Sequence, residues 1–273
     1  MAQARVLVWA GEGLNCEAET EYAFNRVGGL AEQVHVNDFL SNPKMLRDYQ
    51  ILAGPGGFSY GDHTGAGKVL ANRLRRAQDE IFRHVDNGRL VIGICNDAQV
   101  LAKMGLAPAL GKRYGERQVA FIDNDPVEGN PNGRYWNRWV DLKYNSGSPW
   151  TRGVGIISMP MAHGEGNFYA SPEVLAEIKE KGLIAARYVK DEICMYEDLV
   201  ANPNGSLDDI AGIFDETKNV LLQMPHPERA QDQCHRPDWM WSKERIKRIF
   251  GREKMPEEGE GLAIFRNGVS YFS

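Results

Sequence analysis

Nothing in this chain reads as a cysteine-rich scaffold. Its four cysteines, Cys16, Cys95, Cys194 and Cys234, form no Cys-x-x-Cys pair and no Cys/His spacing of the kind zinc takes. A disulfide framework and a structural metal are therefore not expected. In a reducing compartment each cysteine is either a small buried apolar residue or a working thiol. A basic excess is also missing: 32 Lys and Arg face 37 Asp and Glu, for a net charge of -5. No stripe is left to draw in phosphate backbones, so no nucleic-acid partner is expected. Long apolar runs are absent at the start, where Val6-Leu-Val-Trp9 gives way to Gly11-Glu-Gly13. That run is too brief for a signal-peptide core or a membrane span, and a cytoplasmic protein without membrane contact is the expectation. Repeats and low-complexity tracts are lacking too. Gly61 to Lys68 holds a Gly and a Lys but neither the spacing nor the following Ser/Thr of a phosphate loop.

What is present is enough apolar residue for a sizeable core, 42% of 273 residues. Val6 to Trp9 reads as a buried strand, and Glu17 to Val27 has helical spacing with Ala18, Tyr22, Phe24 and Val27 available to a core. The strand-then-helix unit recurs as Gln50 to Ala53 followed by a helix from Lys68 to His84. It returns as Leu90 to Ile94 followed by Ala98 to Met104. Strands apolar on consecutive positions suit a parallel sheet covered on both faces. From Val119 onward, Val119 to Ile122, Trp139 to Lys143 and Val154 to Met159 are separated by Asn/Pro/Gly-rich turns, which points to an antiparallel elaboration. A helix over Pro172 to Lys181 and strands at Ala185 to Val189, Ile210 to Phe214 and Val220 to Met224 follow. The last segment reads as a basic helix at Ser242 to Phe250, a charged loop at Glu253 to Glu260, and two short strands at Leu262 to Phe265 and Val269 to Phe272. The chain is read as a single α/β domain over 1–273, with 231–273 a C-terminal extension packed on it.

Leu90-Val-Ile-Gly-Ile-Cys-Asn-Asp-Ala-Gln99 places a thiol between a buried strand and a helix, where a sharp elbow holds a nucleophile above a sheet. Near a helix N-terminus, unpaired N–H groups and the partial positive charge favour the Cys95 thiolate and a developing oxyanion alike. Taken alone, a Gly-x-Cys also fits a cysteine that merely ends a strand. A second segment adds weight: Gln223-Met-Pro-His-Pro-Glu-Arg229 offers His226 and Glu228 two residues apart, able to face one side on extended chain. His226 would take the thiol proton and return it to a leaving group, with Glu228 orienting the ring. Gly54-Pro-Gly-Gly57, after another core strand, lets backbone approach a ligand closely, so that Gly56 or Gly57 would supply an oxyanion N–H.

These segments, together with Leu14-Asn-Cys-Glu17, Gly56-Gly-Phe-Ser-Tyr-Gly-Asp62, Ala162-His-Gly-Glu-Gly166, Asn202-Pro-Asn-Gly-Ser-Leu-Asp208 and Met224-Pro-His-Pro-Glu-Arg-Ala230, resemble a family over nearly the whole chain. It is the family of glutaminase subunits of phosphoribosylformylglycinamidine synthase, within the class I glutamine amidotransferases. The resemblance implies a flavodoxin-like α/β fold and hydrolysis of glutamine to glutamate and ammonia by Cys95, His226 and Glu228. It also implies Gln99 as a glutamine-binding residue and an oxyanion hole from Gly57 and the N–H of Asn96. Ammonia would pass to a large ATP-dependent synthase subunit of purine biosynthesis, with a small third subunit in some complexes. No cofactor belongs to this chain itself; ATP and magnesium go with the partner.

One departure stands out, since the family has glycine where this chain has Asp97. A side chain there crowds the elbow, and an ionised carboxylate beside Cys95 would disfavour the thiolate. Alternatively, Asp97 points to solvent as a first-turn acid favoured by the helix dipole. Activity is expected to survive, with low turnover until a partner orders the site. Two other readings stay open on the residues alone: a non-catalytic interaction subunit, and a cysteine peptidase built on a similar elbow. His163 and Glu165 read either as a second catalytic pair or as a loop near the site. Trp239 and Trp241 beside Lys243, Arg245, Lys247 and Arg248 read as an amphipathic surface helix or a docking element.

Overall fold

Buried runs set the frame. In the computed structural model, which describes residues 3–250 and 256–273, strand β1 (Arg5–Ala10) is followed by helix α1 (Glu17–Arg26), strand β2 (Leu30–His35), helix α2 (Val36–Ser41) and strand β3 (Ile51–Gly54). Helices α3 (Lys68–Leu74) and α4 (Gln78–Asp86) lead into β4 (Leu90–Ile94) and α5 (Asn96–Lys103). Then come β5 (Val119–Ile122), β6 (Trp136–Tyr144), β7 (Ile156–His163), β8 (Asn167–Ala170), α6 (Pro172–Glu180), β9 (Ile184–Val189) and α7 (Glu192–Glu197). The chain finishes through β10 (Ile210–Phe214), β11 (Val220–Gln223), α8 (Trp239–Phe250) and α9 (Leu262–Ser270). Every residue of β3, β4, β10 and β11 is buried, as strands covered on both faces require.

Nine strands form one sheet in the order β2-β1-β3-β4-β11-β10-β9-β6-β7, and β5 pairs with β8 separately. The first five run parallel to their neighbours, while β10, β9, β6 and β7 continue antiparallel. The expected mostly parallel sheet with an antiparallel extension is thus what forms. Three adjacent strands, β3, β4 and β11, are in register through Gly54 opposite Gly93 and Gln223 opposite Ile94. Their C-terminal ends therefore deliver Gly56, Cys95 and His226 to one edge of the sheet, where open α/β folds bind ligands.

Several sequence expectations need correction. The helix expected from Lys68 to His84 is two helices broken by a 3-10 turn at Arg75–Ala77. In α1 the core face is Thr20, Ala23 and Phe24; Tyr22 and Ala18 face solvent. Strand β2 escaped notice because it is an edge strand carrying Glu32 and Gln33, with only Ala31 and Val34 buried. The largest error lies at 262–272, read as two strands and found as α9. There the buried residues Leu262, Phe265 and Val269 follow a helical spacing, and Gly268 sits mid-helix because a Cβ would meet the Trp150 ring at 2.4 Å. Residues 251–255, and with them part of the charged loop read over 253–260, lie outside the described residues.

The segment before α9 grips the turn after β11. Gly259 N donates to Gln231 O at 2.7 Å and Gly261 N to Ala230 O at 3.0 Å. A Cβ on Gly261 would stand 2.1 Å from Pro227 O, so only glycine permits this approach. Phe265 then packs edge-on against Phe24 of α1, with centroids 4.8 Å apart. On α8, Arg245 and Lys243 lie over the Trp241 and Trp239 rings, and Arg245 pairs with Glu192 of α7 at 2.7 Å.

Away from the sheet edge, His84 of α4 is buried and its Nε2–H donates to Leu90 O at 3.3 Å. Burial pushes its pKa from 6.5 down to about 4, with the Leu90 carbonyl acting against the shift and Arg89 adding to it. Below 6.5 the unfolded chain binds a proton that the folded chain refuses. Stability should therefore fall by about 3 kcal/mol between pH 6.5 and about 4 on account of this residue. Urea unfolding across that range checks it, and His84→Gln should flatten the slope.

Candidate active site

Cys95 is held at the elbow with φ 50° and ψ -106°, backbone angles that few non-glycine residues adopt and that structures retain at functional sites. Its N–H donates to Gln223 O of β11 at 2.8 Å, and its thiol is directed at Ala162 O at 3.6 Å. Helix α5 starts at the next residue, so the thiol lies at a helix N-terminus. Asn96 ties the elbow to its surroundings: its Oδ1 accepts from Ser59 N, and its Nδ2 donates to Asp62 Oδ1 and Gln99 Oε1, each at 3.1 Å. Gln99 Nε2 in turn donates to Glu165 O at 2.5 Å. The Gln99 amide is thus fixed at both ends beside the thiol.

His226 leaves β11 with its N–H bound to Pro160 O at 2.8 Å. Its Nδ1 meets Glu228 Oε1 at 2.5 Å, while Nε2 has no hydrogen-bond partner among the described residues. Both side chains are buried. Burial opposes a charged imidazole, but Glu228 foremost, then Cys95 and Cys16, outweigh it and hold the His226 pKa well above its ordinary value. Cys95 and the His226–Glu228 pair, far apart in sequence, are brought together in this way.

The two glycines separate in role. Gly57 lines the cavity next to Cys95, whereas Gly56 lies behind the imidazole: a Cβ there would stand 2.6 Å from His226 Cε1 and 3.1 Å from Cys16 Sγ. Gly56 O accepts from both Asn15 N and Cys16 N at 3.2 Å, and Gly13 O accepts from Phe58 N at 2.7 Å. The β1–α1 loop therefore buttresses the glycine loop. Gly57 abuts that loop so closely that a Cβ would fall 2.6 Å from Gly13 O.

A cavity of about 190 Å³ opens beside Cys95, lined by Gly57, Phe58, Asp62, Ala66, Gln99, Tyr135 and Ala162 to Glu165. His163 and Glu165 do not form a second pair with each other. The His163 imidazole is buried with Nδ1 against Asn124 Oδ1 at 3.2 Å, and burial, then the nearby His226, push its pKa down to about 3. The Glu165 carboxylate accepts from Ala66 N. Tyr135 and Phe58, with ring centroids 6.0 Å apart, were not foreseen. Tyr135 ends a Pro/Gly/Asn-rich stretch without periodicity, which carries no local signal of where it will fold.

Asp97 is the sharpest correction. It does not point to solvent; it is fully buried, neither carboxylate oxygen has a partner among the described residues, and burial holds its pKa well above the usual carboxylate range. Gly54 makes the room, since a Cβ on that residue would lie 1.5 Å from Asp97 Oδ2. A protonated carboxyl is uncharged, which removes the electrostatic objection to a thiolate at Cys95.

Among the described residues, Cys16, His226 and Glu228 have potential metal-ligand atoms within 4.8 Å of one another. The Arg229 guanidinium, 3.0 Å from Cys16 Sγ, puts a positive charge where a cation would sit, and Nδ1 is already engaged by Glu228. The arrangement suits a cysteine nucleophile with a histidine–carboxylate pair better than a metal centre.

Comparison with known proteins identifies the family. Residues 3–272 match the family model of the CobB/CobQ-like glutamine amidotransferase domain. Phosphoribosylformylglycinamidine synthase subunit PurQ of Methanococcus maripaludis strain C5 is 41% identical, with 98% of each chain covered. The PurQ subunit of Dehalococcoides mccartyi is 37% identical over 99% of this chain and 98% of that one. Among solved structures, a chain of PurLQS from Thermotoga maritima has a TM-score of 0.69 at 28% identity, covering both chains fully. With the sheet, the elbow and these relatives together, the chain belongs to the CobB/CobQ-like glutamine amidotransferase domain family and, within it, to the PurQ subunits of phosphoribosylformylglycinamidine synthase.

Proposed function

We propose that this chain releases ammonia from glutamine at Cys95 and hands it to an ATP-dependent synthase subunit, which converts formylglycinamide ribonucleotide to its amidine. The observation that carries the reading is that the Cys95 elbow and Gly57 line one small cavity while the buried His226–Glu228 pair interacts with the same thiol. The Cys95 sulfur attacks the side-chain carboxamide carbon, and the oxyanion gathers at the N–H groups of Gly57 and Asn96. The C–N bond breaks as His226 gives its proton to the departing ammonia. Water, deprotonated by the same imidazole, then adds to the glutamyl thioester and releases glutamate and the thiol. Glu228 holds the ring through Nδ1, so Nε2 is the atom left for proton transfer.

A volume of about 190 Å³ suits one amino acid, falls below the usual span of small-molecule pockets and leaves no groove for a peptide, which disfavours the peptidase reading. Asp62 and Glu165 give the wall the charge that an α-ammonium group needs. Relatives are named as synthase subunits, and one solved relative is a chain of PurLQS, which supports a synthase partner for this chain; a large partner and a small third one belong to the same proposal. ATP and magnesium then act in the partner, and this chain works in the cytoplasm, where purine precursors are made. No described helix is long and apolar enough to cross a membrane.

A glutamine-like diazoketone tests the proposal directly. Mass spectrometry should find one adduct on Cys95, competed by glutamine and absent from Cys95→Ala. Glutamate release should rise when the synthase partner and its substrates are added. An unlabelled Cys95, or release that ignores the partner, would refute it.

A further inference from the structure

A second buried thiol touches the triad without a part in the chemistry above. Cys16 opens α1, is 1% exposed, and donates its S–H to Asn15 Oδ1 at 3.2 Å. Its sulfur accepts from Arg229 Nη2 at 3.0 Å and lies within 4.8 Å of a ring nitrogen of His226 and a carboxylate oxygen of Glu228. The sulfur and the Cε1–Nδ1 edge of the imidazole meet over Gly56, where the missing Cβ leaves both of them room. The Cys16 N–H meanwhile holds Gly56 O, one residue from the proposed oxyanion donor. One residue thus contacts the base, the cation behind it and the glycine loop.

We infer that Cys16 is a positioning residue for the amidotransferase reaction: its sulfur holds the His226 ring against Glu228 and gives the imidazolium an uncharged, polarisable neighbour in place of the Arg229 guanidinium. The inference rests on the glutaminase reading. Other groups acting on the ring are Glu228 and Cys95, with His163, Tyr135 and Arg229 further out. Of these, only Glu228 and Cys95 take part directly in the chemistry. A soft, bulky sulfur accepts contact from a ring edge and from a guanidinium N–H at once. Oxygen is smaller and holds a hydrogen bond more tightly, so Cys16→Ser should pull away from the ring. Cys16→Ala removes the contact and leaves the guanidinium nearer to the imidazolium without an intervening group.

The test uses the full chain with its synthase partner. Both variants should lose about tenfold in kcat for glutamine, with KM within about twofold of the parent, because ring placement affects the transition state more than substrate binding. The alkaline limb of the kcat/KM profile should move to lower pH, since an imidazolium that loses a favourable neighbour gives up its proton more readily. Thermal unfolding of each variant confirms the fold, and two substitutions of different polarity keep a reading available if one of them misfolds. A lowered melting temperature with unchanged kcat and pH limb would make Cys16 a packing residue and overturn the inference. Failure of the parent chain itself to be labelled at Cys95 would strike instead at the glutaminase reading.

Discussion

Cys95→Ala should lower the glutamine-dependent rate by at least about 10⁴-fold while leaving the chain folded and able to bind its synthase partner. Among the described residues Cys95 is the one thiol lining the cavity, and the Cys16 sulfur lies behind Gly56. Free ammonia should restore product formation in the complex, because the loss concerns ammonia supply alone. Glu228→Gln keeps size and removes charge, and should cost a factor of about 10² to 10⁴ by withdrawing the carboxylate that favours the His226 imidazolium. Steady-state assays with glutamine and with ammonium chloride in parallel separate these outcomes. Equal loss with both nitrogen sources would place the damage in assembly rather than in the triad.

Gly54→Ala should destabilise the chain by about 3 kcal/mol or more, since the new methyl would occupy the position of the Asp97 carboxyl. In an Asp97→Gly background the same substitution should be far milder, giving a coupling of about 2 kcal/mol or more in a double-mutant cycle read by urea unfolding. The acid itself also burdens the fold. Its folded pKa is raised, so the folded chain keeps a proton that the unfolded chain releases above its ordinary value near 3.8. Stability is full below that value and is lost as pH rises towards the folded pKa. Asp97→Asn, close in shape and without an ionisation to suppress, should therefore be more stable by about 2 kcal/mol at pH 7. That advantage should vanish as pH falls towards 3.8. An Asn variant no more stable than the parent at neutral pH would mean that the carboxyl finds a partner.

The central strands were legible because a strand covered on both faces has to be apolar at every position, as Leu90 to Ile94 and Val220 to Leu222 are. The candidate site was legible for a related reason: a thiol ending one such strand and a His-x-Glu following another come together when the strands are neighbours, and β4 and β11 are. What escaped depends on long-range placement. Asp97 has the local features of an exposed first-turn acid, and only Gly54 on a different strand creates its burial. The Asn267-Gly268 step between two apolar runs fits a hairpin as well as a helix, and the Trp150 ring against Gly268 settles it for α9. Gly56 and Gly57 are indistinguishable in sequence, yet one supports the base and the other lines the cavity. The β1–α1 loop decides between them.

The grip of Gly259 and Gly261 on the turn carrying His226 and Glu228 bears on how the enzyme comes into being at the ribosome. Translation delivers the thiol early and the imidazole late: the Pro160 carbonyl that receives the His226 N–H is made before it, but Ala230 O and Gln231 O, at the end of the turn, gain their partners only once residues beyond 256 have been made. A nascent chain that already contains Cys95, His226 and Glu228 therefore still lacks the two hydrogen bonds that close this turn. A chain ended before residue 256 should accordingly hydrolyse glutamine more slowly than the full chain, so that little ammonia is released while synthesis is in progress.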